Sequence, residues 1–145
     1  MSRLATLLAV AALLGPAGGV ARSPRDPGPI DWILDEERAF AESSRTGKPV
    51  LVDAWAQWCT ACKLMDRHTW SDPTVRREVQ KRFIPLRLDF TDETTGDEPR
   101  KDSYGVQALP TVLSCRARGC PAASARRATG YLRPAEMLAF LAGQR

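Results

Sequence analysis

Histidine is nearly missing from this sequence: His68 is the single one in 145 residues. It lies too far along the chain from the nearest cysteine pair to serve Cys59 as a base, so an exposed or packing role is expected for it. Long apolar runs are also missing. The longest, Leu4 to Leu14, falls short of the ~20 residues that a membrane-spanning helix needs. Charge of one sign is scarce, with a formal net charge of +4. Its basic residues (Arg76-Arg77, Lys81-Arg82, Arg116, Arg118, Arg126-Arg127) are scattered and carry no interleaved aromatics. That excludes a nucleic-acid stripe and points to solvated surface charge. No internal repeat is present. No cysteine stands at the end of the N-terminal leader or directly after it, which argues against lipid attachment at a processed terminal Cys.

What is present begins with that leader. One arginine, an apolar run and the small residues Gly19-Val20-Ala21 form the pattern of a secretory signal peptide over residues 1–21. An uncleaved anchor is the alternative. Residues 22–29, with three prolines and a glycine, predict an extended linker, and residues 30–145 a single domain. Export to the periplasm or a comparable compartment would let disulfides persist. Sequence proximity then favours Cys59 with Cys62 and Cys115 with Cys120 among the three pairings that four cysteines allow.

The chain is organised around Val50–Lys63, VLVDAWAQWCTACK. Its apolar β-rich start suits a strand buried on both faces. The two cysteines that follow fit the first turn of a helix, where unpaired N–H groups and the helix dipole favour thiolate over thiol. Cys59 is therefore the candidate nucleophile and Cys62 the resolving thiol. A plain stabilising disulfide or half of a four-cysteine zinc site is the bland alternative, and the strand-to-helix placement beside Trp58 argues against both. Asp53 is the odd residue in the strand. A buried carboxylate without a partner has a raised pKa and can hold or pass a proton. Asp66 lies one helical turn beyond Cys62 on the same face, with a surface acid as the alternative reading.

Around this stretch the pattern predicts an edge strand at Ile30–Ile33 and a helix over 35–45 closed by Gly47. A helix from Cys59 to about Ser71 and another from Pro73 carrying Val75, Val79 and Phe83 follow. Ile84, Leu86, Leu88 and Phe90 alternate as a strand, and a polar loop leads into a short helix ending near Tyr104-Gly105. Strands Thr111–Leu113 and Ala122–Thr129 form a hairpin around a turn at Arg116–Pro121, and Pro134 opens a last helix with Met137, Leu138 and Leu141. The order is β-α-β-α-α-β-α-β-β-α.

Trp58-Cys59-Thr60-Ala61-Cys62-Lys63, with Leu109-Pro110-Thr111, resembles the active site of the thioredoxin superfamily. Lys48-Pro49, Ala61 and His68-Thr69-Trp70-Ser71-Asp72-Pro73 are most similar to the C-terminal periplasmic domain of transmembrane thiol:disulfide interchange proteins of the DsbD type. The resemblance covers nearly all of the chain from about Trp32. It implies an α/β thioredoxin fold, with a central mixed β-sheet flanked by helices and an antiparallel C-terminal hairpin. It further implies that Asp53 assists deprotonation of Cys62 and that Leu109-Pro110 is a cis-proline loop facing the CxxC. Trp58, Leu109 and Pro110 would then bind substrate. The resembled domain carries a glutamate that tunes thiol pKa where this chain has the shorter Asp66.

The expected activity is that of an exported thiol:disulfide oxidoreductase reducing, or relaying electrons to, protein disulfides. No metal or organic cofactor and no nucleic acid is expected. A monomer is expected, served by a separate membrane electron donor. Thr60-Ala61 has neither the histidine of strong oxidants nor the Gly-Pro of cytosolic thioredoxin, which favours reduction. The alternatives are a disulfide oxidase or isomerase and a non-catalytic peptide-binding module. The Cys115–Cys120 pair departs from the resembled family and is expected to be a structural bridge.

Overall fold

The computed structural model describes residues 27–92, 97–118, 120–121 and 125–143. The expected signal peptide and most of the expected linker lie outside the described residues. So do parts of the loop before the Tyr104 helix and of the Ala122–Thr129 strand.

Apolar alternation and capping account for the elements. Helix α1, Glu36–Thr46, starts at Asp35, whose carboxylate accepts from the Arg38 N–H at 2.9 Å. It ends at Gly47, where φ of 72° favours a residue without a Cβ. Strand β1 is Val50–Trp55. Helix α2, Thr60–His68, follows with Cys59 as its N-cap, and α3, Pro73–Arg82, with Asp72 capping Thr74 and Val75. Then come β2, Ile84–Asp89; α4, Asp97–Tyr104; β3, Thr111–Cys115; β4, Arg126–Thr129; and α5, Pro134–Ala142.

The sheet order is β2-β1-β3-β4. β1 pairs parallel with β2 and antiparallel with β3, and β3 pairs antiparallel with β4. The parallel pair needs a long crossover, which α2 and α3 supply. With neighbours on both sides and helices on both faces, β1 is buried along most of its length, as its apolar sequence requires. On one face Val50, Val52 and Ala54 pack with Phe40, Leu86, Leu88, Phe90 and Tyr104. On the other, Leu51 packs with Met65, Val79, Phe83, Met137 and Leu141. Val75, Val79 and Phe83 are buried as their four-residue spacing predicts.

Among the described residues, two elements are shorter than expected. Ile30–Ile33 makes a single parallel bridge, Ile33 to Leu86, and not a strand. Pro29 cannot donate to a ladder, and only Ile33 exchanges backbone hydrogen bonds with β2. The second hairpin strand spans Arg126–Thr129, an edge kept charged by Arg126 and Arg127.

Cys115 and Cys120 are joined, and both are buried in the cluster that holds Tyr104 and Val106. Around them Glu36 accepts from the Tyr104 hydroxyl and from Arg118, tying the hairpin to α1. Replacing both cysteines by serine is expected to lower unfolding free energy by about 2 kcal/mol, the chain-entropy value for so short a loop. Thiol-disulfide exchange at the other pair should stay unchanged, and thermal melts alongside exchange rates check both parts.

Candidate functional site

The site forms where β1 ends and α2 begins. β1 delivers the chain through Ala56–Trp58 to Cys59, whose extended backbone (φ −78°, ψ 102°) sets it just outside the helix. Its Sγ accepts from the Cys62 N–H at 3.1 Å, so the sulfur occupies the position of an N-capping group. Cys59 and Cys62 are bonded, with Cα atoms 5.3 Å apart. Cys59 is 6% exposed and Cys62 1%, so the first sulfur is the more accessible. When the bond is reduced, a Cys59 thiolate would face the helix N-terminus that stabilises it.

Apolar side chains surround the pair: Ala56, Trp55, Ala61 and Leu109. The Leu109–Pro110 bond is cis. The Pro110 carbonyl accepts from Gly130 N–H and Thr111 Oγ1 donates to the Ala108 carbonyl, which fixes this loop to the hairpin. Trp58 is 56% exposed. Its indole N–H donates to the Thr91 carbonyl at 3.1 Å, while Thr91 Oγ1 accepts from the Gln57 N–H and bonds the Asp89 carboxylate. Thr91 thus holds the loop that carries Trp58, a role the sequence did not suggest. A cleft of about 110 Å³ beside the pair is lined by Trp58, Lys101, Val106, Gln107, Ala108 and Leu109.

Asp53 is 1% exposed, as expected, but it is not alone. Arg87 stands opposite it in the β1–β2 register and donates to its Oδ2 through Nε at 2.9 Å, with Nη2 in ion-pair contact with the same oxygen at 2.8 Å. The same guanidinium reaches Asp66 Oδ1 at 2.5 Å, and Asp66 Oδ2 accepts from the Trp55 indole at 3.1 Å. The expectation of an unpartnered acid is therefore corrected: a cation on the neighbouring strand offsets part of the cost of burying its charge. A polar position inside a sheet covered on both faces was the available signal for Arg87. Its pairing with Asp53 depends on a parallel register that the sequence does not display.

These forces leave the Asp53 carboxyl raised to about 6. Burial raises it most, Arg87 opposes, Asp66 raises it, and hydrogen bonds from Arg87 and the Trp70 indole lower it. Such an acid is mostly ionised at neutral pH yet basic enough to accept a proton. By strand alternation Asp53 points to the same face as Leu51, which packs on Met65 of α2, and Trp55, which packs on the cysteine pair. Asp66 is half-buried between Arg87 and Trp55 and belongs to this network. His68 is exposed in the last turn of α2. Among the described residues, no three His, Cys, Asp or Glu side chains cluster as for a metal ion, and no helix is long and apolar enough to cross a membrane.

Comparison with known proteins agrees with this architecture. A family model described as Thioredoxin-like matches residues 31–116. The thiol:disulfide interchange protein DsbD of Vibrio vulnificus is 34% identical over 105 residues, covering 72% of this chain and 17% of the relative. That of Klebsiella pneumoniae is 33% identical over 112 residues, covering 77% and 18%. The chain thus spans less than a fifth of the length of these curated relatives. Among solved structures, the oxidised DsbD C-terminal domain of Neisseria meningitidis superposes with a TM-score of 0.65 at 24% identity, covering 79% of this chain and 99% of that one. A thioredoxin from Thermus thermophilus gives 0.62 at 24% identity, covering 76% and 83%.

Proposed function

The chain belongs to the thioredoxin-like family, and from that premise we propose that it is a thiol:disulfide oxidoreductase that passes electrons from its Cys59–Cys62 dithiol to protein disulfides. The observation that carries this reading is the cysteine pair at the N-terminus of α2, directly after a strand bearing a buried carboxylate. The Cys59 thiolate attacks one sulfur of the substrate disulfide, forming a mixed disulfide and releasing the other sulfur as a thiolate. Cys62 gives its proton to Asp53 and attacks Cys59 Sγ. The Cys59–Cys62 bond forms, the mixed disulfide breaks, and the substrate leaves as a dithiol carrying both electrons. Trp58 and Leu109, which line the cleft beside the pair, offer apolar contact to the substrate chain, and Pro110 follows Leu109 through the cis bond.

The domain responsible is residues 30–145, preceded by a linker and a signal peptide at 1–21 that sends it out of the cytoplasm. It works as a monomer without metal, organic cofactor or nucleic acid. Reduction in that compartment requires an electron source, and a separate membrane protein is the proposed donor.

The test is the reduction potential of the Cys59–Cys62 pair, measured by equilibration with glutathione or dithiothreitol in protein whose Cys115 and Cys120 are serine. A value well below about −200 mV, toward the roughly −270 mV of thioredoxin, supports reduction. A value near the −120 mV typical of strong oxidants would make the protein a disulfide-introducing enzyme. A pair that does not cycle would favour a peptide-binding module.

A further inference from the structure

The segment before α1 takes no part in the chemistry above, yet it reaches the charged network. Ile33 donates its N–H to the Pro85 carbonyl and accepts from the Arg87 N–H, both at 2.9 Å, which lays the segment against β2. Its neighbour Trp32 then covers Arg87, with the guanidinium carbon 4.8 Å from the ring centroid. Trp55 offers a second ring at 5.5 Å. Trp32 is itself braced edge-on against Trp70, their centroids 5.1 Å apart and their planes at 79°.

Arg87 is therefore held by two indoles while its guanidinium forks between Asp53 and Asp66. A cleft of about 290 Å³, lined by Pro29, Ile30, Trp32, Asp66, Trp70 and Arg76 among others, opens beside Trp32. A long side chain released from its ring contact would have solvated space to occupy. The rings oppose that release, because an indole face attracts a guanidinium and does so most when water is excluded.

We propose that Trp32 is a positioning residue of the dithiol site: it holds the Arg87 guanidinium on Asp53 and so governs how readily that carboxylate takes up a proton. The charged groups facing Asp53 are Arg87 from β2 and Asp66 from α2, with Arg76 of α3 lining the same cleft as Asp66. β3 presents the apolar Val112 at the paired position. Burial pushes the Asp53 carboxyl up and Arg87 pulls it down, so a loosened Arg87 leaves burial less opposed and proton binding tightens. Coupling to Cys62 rests on the function proposed above; the hold on Asp53 does not.

The test follows the ¹³C carboxyl resonance of Asp53 against pH in the oxidised full chain, which requires no turnover. Arg87→Met should tighten proton binding about tenfold or more, and Trp32→Ala about threefold. Trp32→Phe, which keeps an aromatic face, should stay near wild type. Trp32→Leu, which fills the space without one, should match Trp32→Ala and serves in its place if that variant does not fold. In the Arg87→Met background Trp32→Ala or Trp32→Leu should add nothing, because its effect runs through Arg87. An unchanged or weakened proton affinity in Trp32→Leu, or an effect additive with Arg87→Met, would overturn the inference. If these shifts appear while the wild-type protein reduces no disulfide, the proposed function falls and the role of Trp32 stands.

Discussion

Cys59→Ser is expected to abolish reduction of protein disulfides, by at least ~10³-fold, since removing a nucleophile leaves no alternative route to the mixed disulfide. Cys62→Ser should fail differently. Cys59 still attacks, but nothing releases the adduct, so a mixed disulfide with the substrate accumulates. An insulin-reduction assay with mass spectrometry of the trapped species distinguishes the two. The contrast follows from placement. Cys59 is the more accessible sulfur at the helix cap, and Cys62 lies one turn inside, buried among apolar side chains. Equal, full activity in both variants would remove the redox reading and leave a peptide-binding module in its place.

The second large effect is on stability, and its sign is opposite to the effect on catalysis. The Asp53 carboxyl is raised from 3.8 to about 6 in the folded protein. The folded state thus binds that proton more tightly than the unfolded chain does. Its contribution to stability is fully present below pH 3.8 and is lost as pH rises through about 6. At neutral pH the buried charge then costs on the order of 2–3 kcal/mol relative to the protonated acid. Asp53→Asn, which is neutral at every pH, should raise unfolding free energy at pH 7 by up to about that amount and show a much smaller gain at pH 4. The same variant should slow resolution of the mixed disulfide, because the acceptor for the Cys62 proton is gone, and the loss should shrink as pH rises and Cys62 ionises unaided. Denaturant titrations at pH 4 and 7, with exchange rates from pH 6 to 9, measure both halves. A variant less stable at pH 7 would mean that Arg87 more than offsets the burial of the charge. A uniform rate loss at all pH values would deny Asp53 the proton.

Much of this was legible because local chemistry fixes it. The run VLVDAW has no helical face, so it reads as a strand buried on both sides, and it is one. Asp35, Pro73, Pro134 and Gly47 mark helix ends through hydrogen bonds and backbone dihedrals that act over three or four residues. The position of Cys59 at a helix start needed nothing more than a strand, a short loop and the spacing of two cysteines. By contrast, the expected strand at Ile30–Ile33 shrank to one bridge, since how far an edge segment pairs depends on the strand it meets.

What the sequence by itself determined is the order of elements from the first helix onward, the buried faces and the identity of the dithiol. Each rests on period, capping or spacing within one segment. Only the tertiary structure decided what surrounds Asp53. Arg87 lies 34 positions away and meets it through the parallel register of β1 and β2, Asp66 arrives from α2, and Trp32 from a segment ahead of the first helix. A charge buried in a sheet is governed by whatever the fold brings within a few ångströms, because electrostatic attraction and desolvation depend on distance in space and not on separation along the chain.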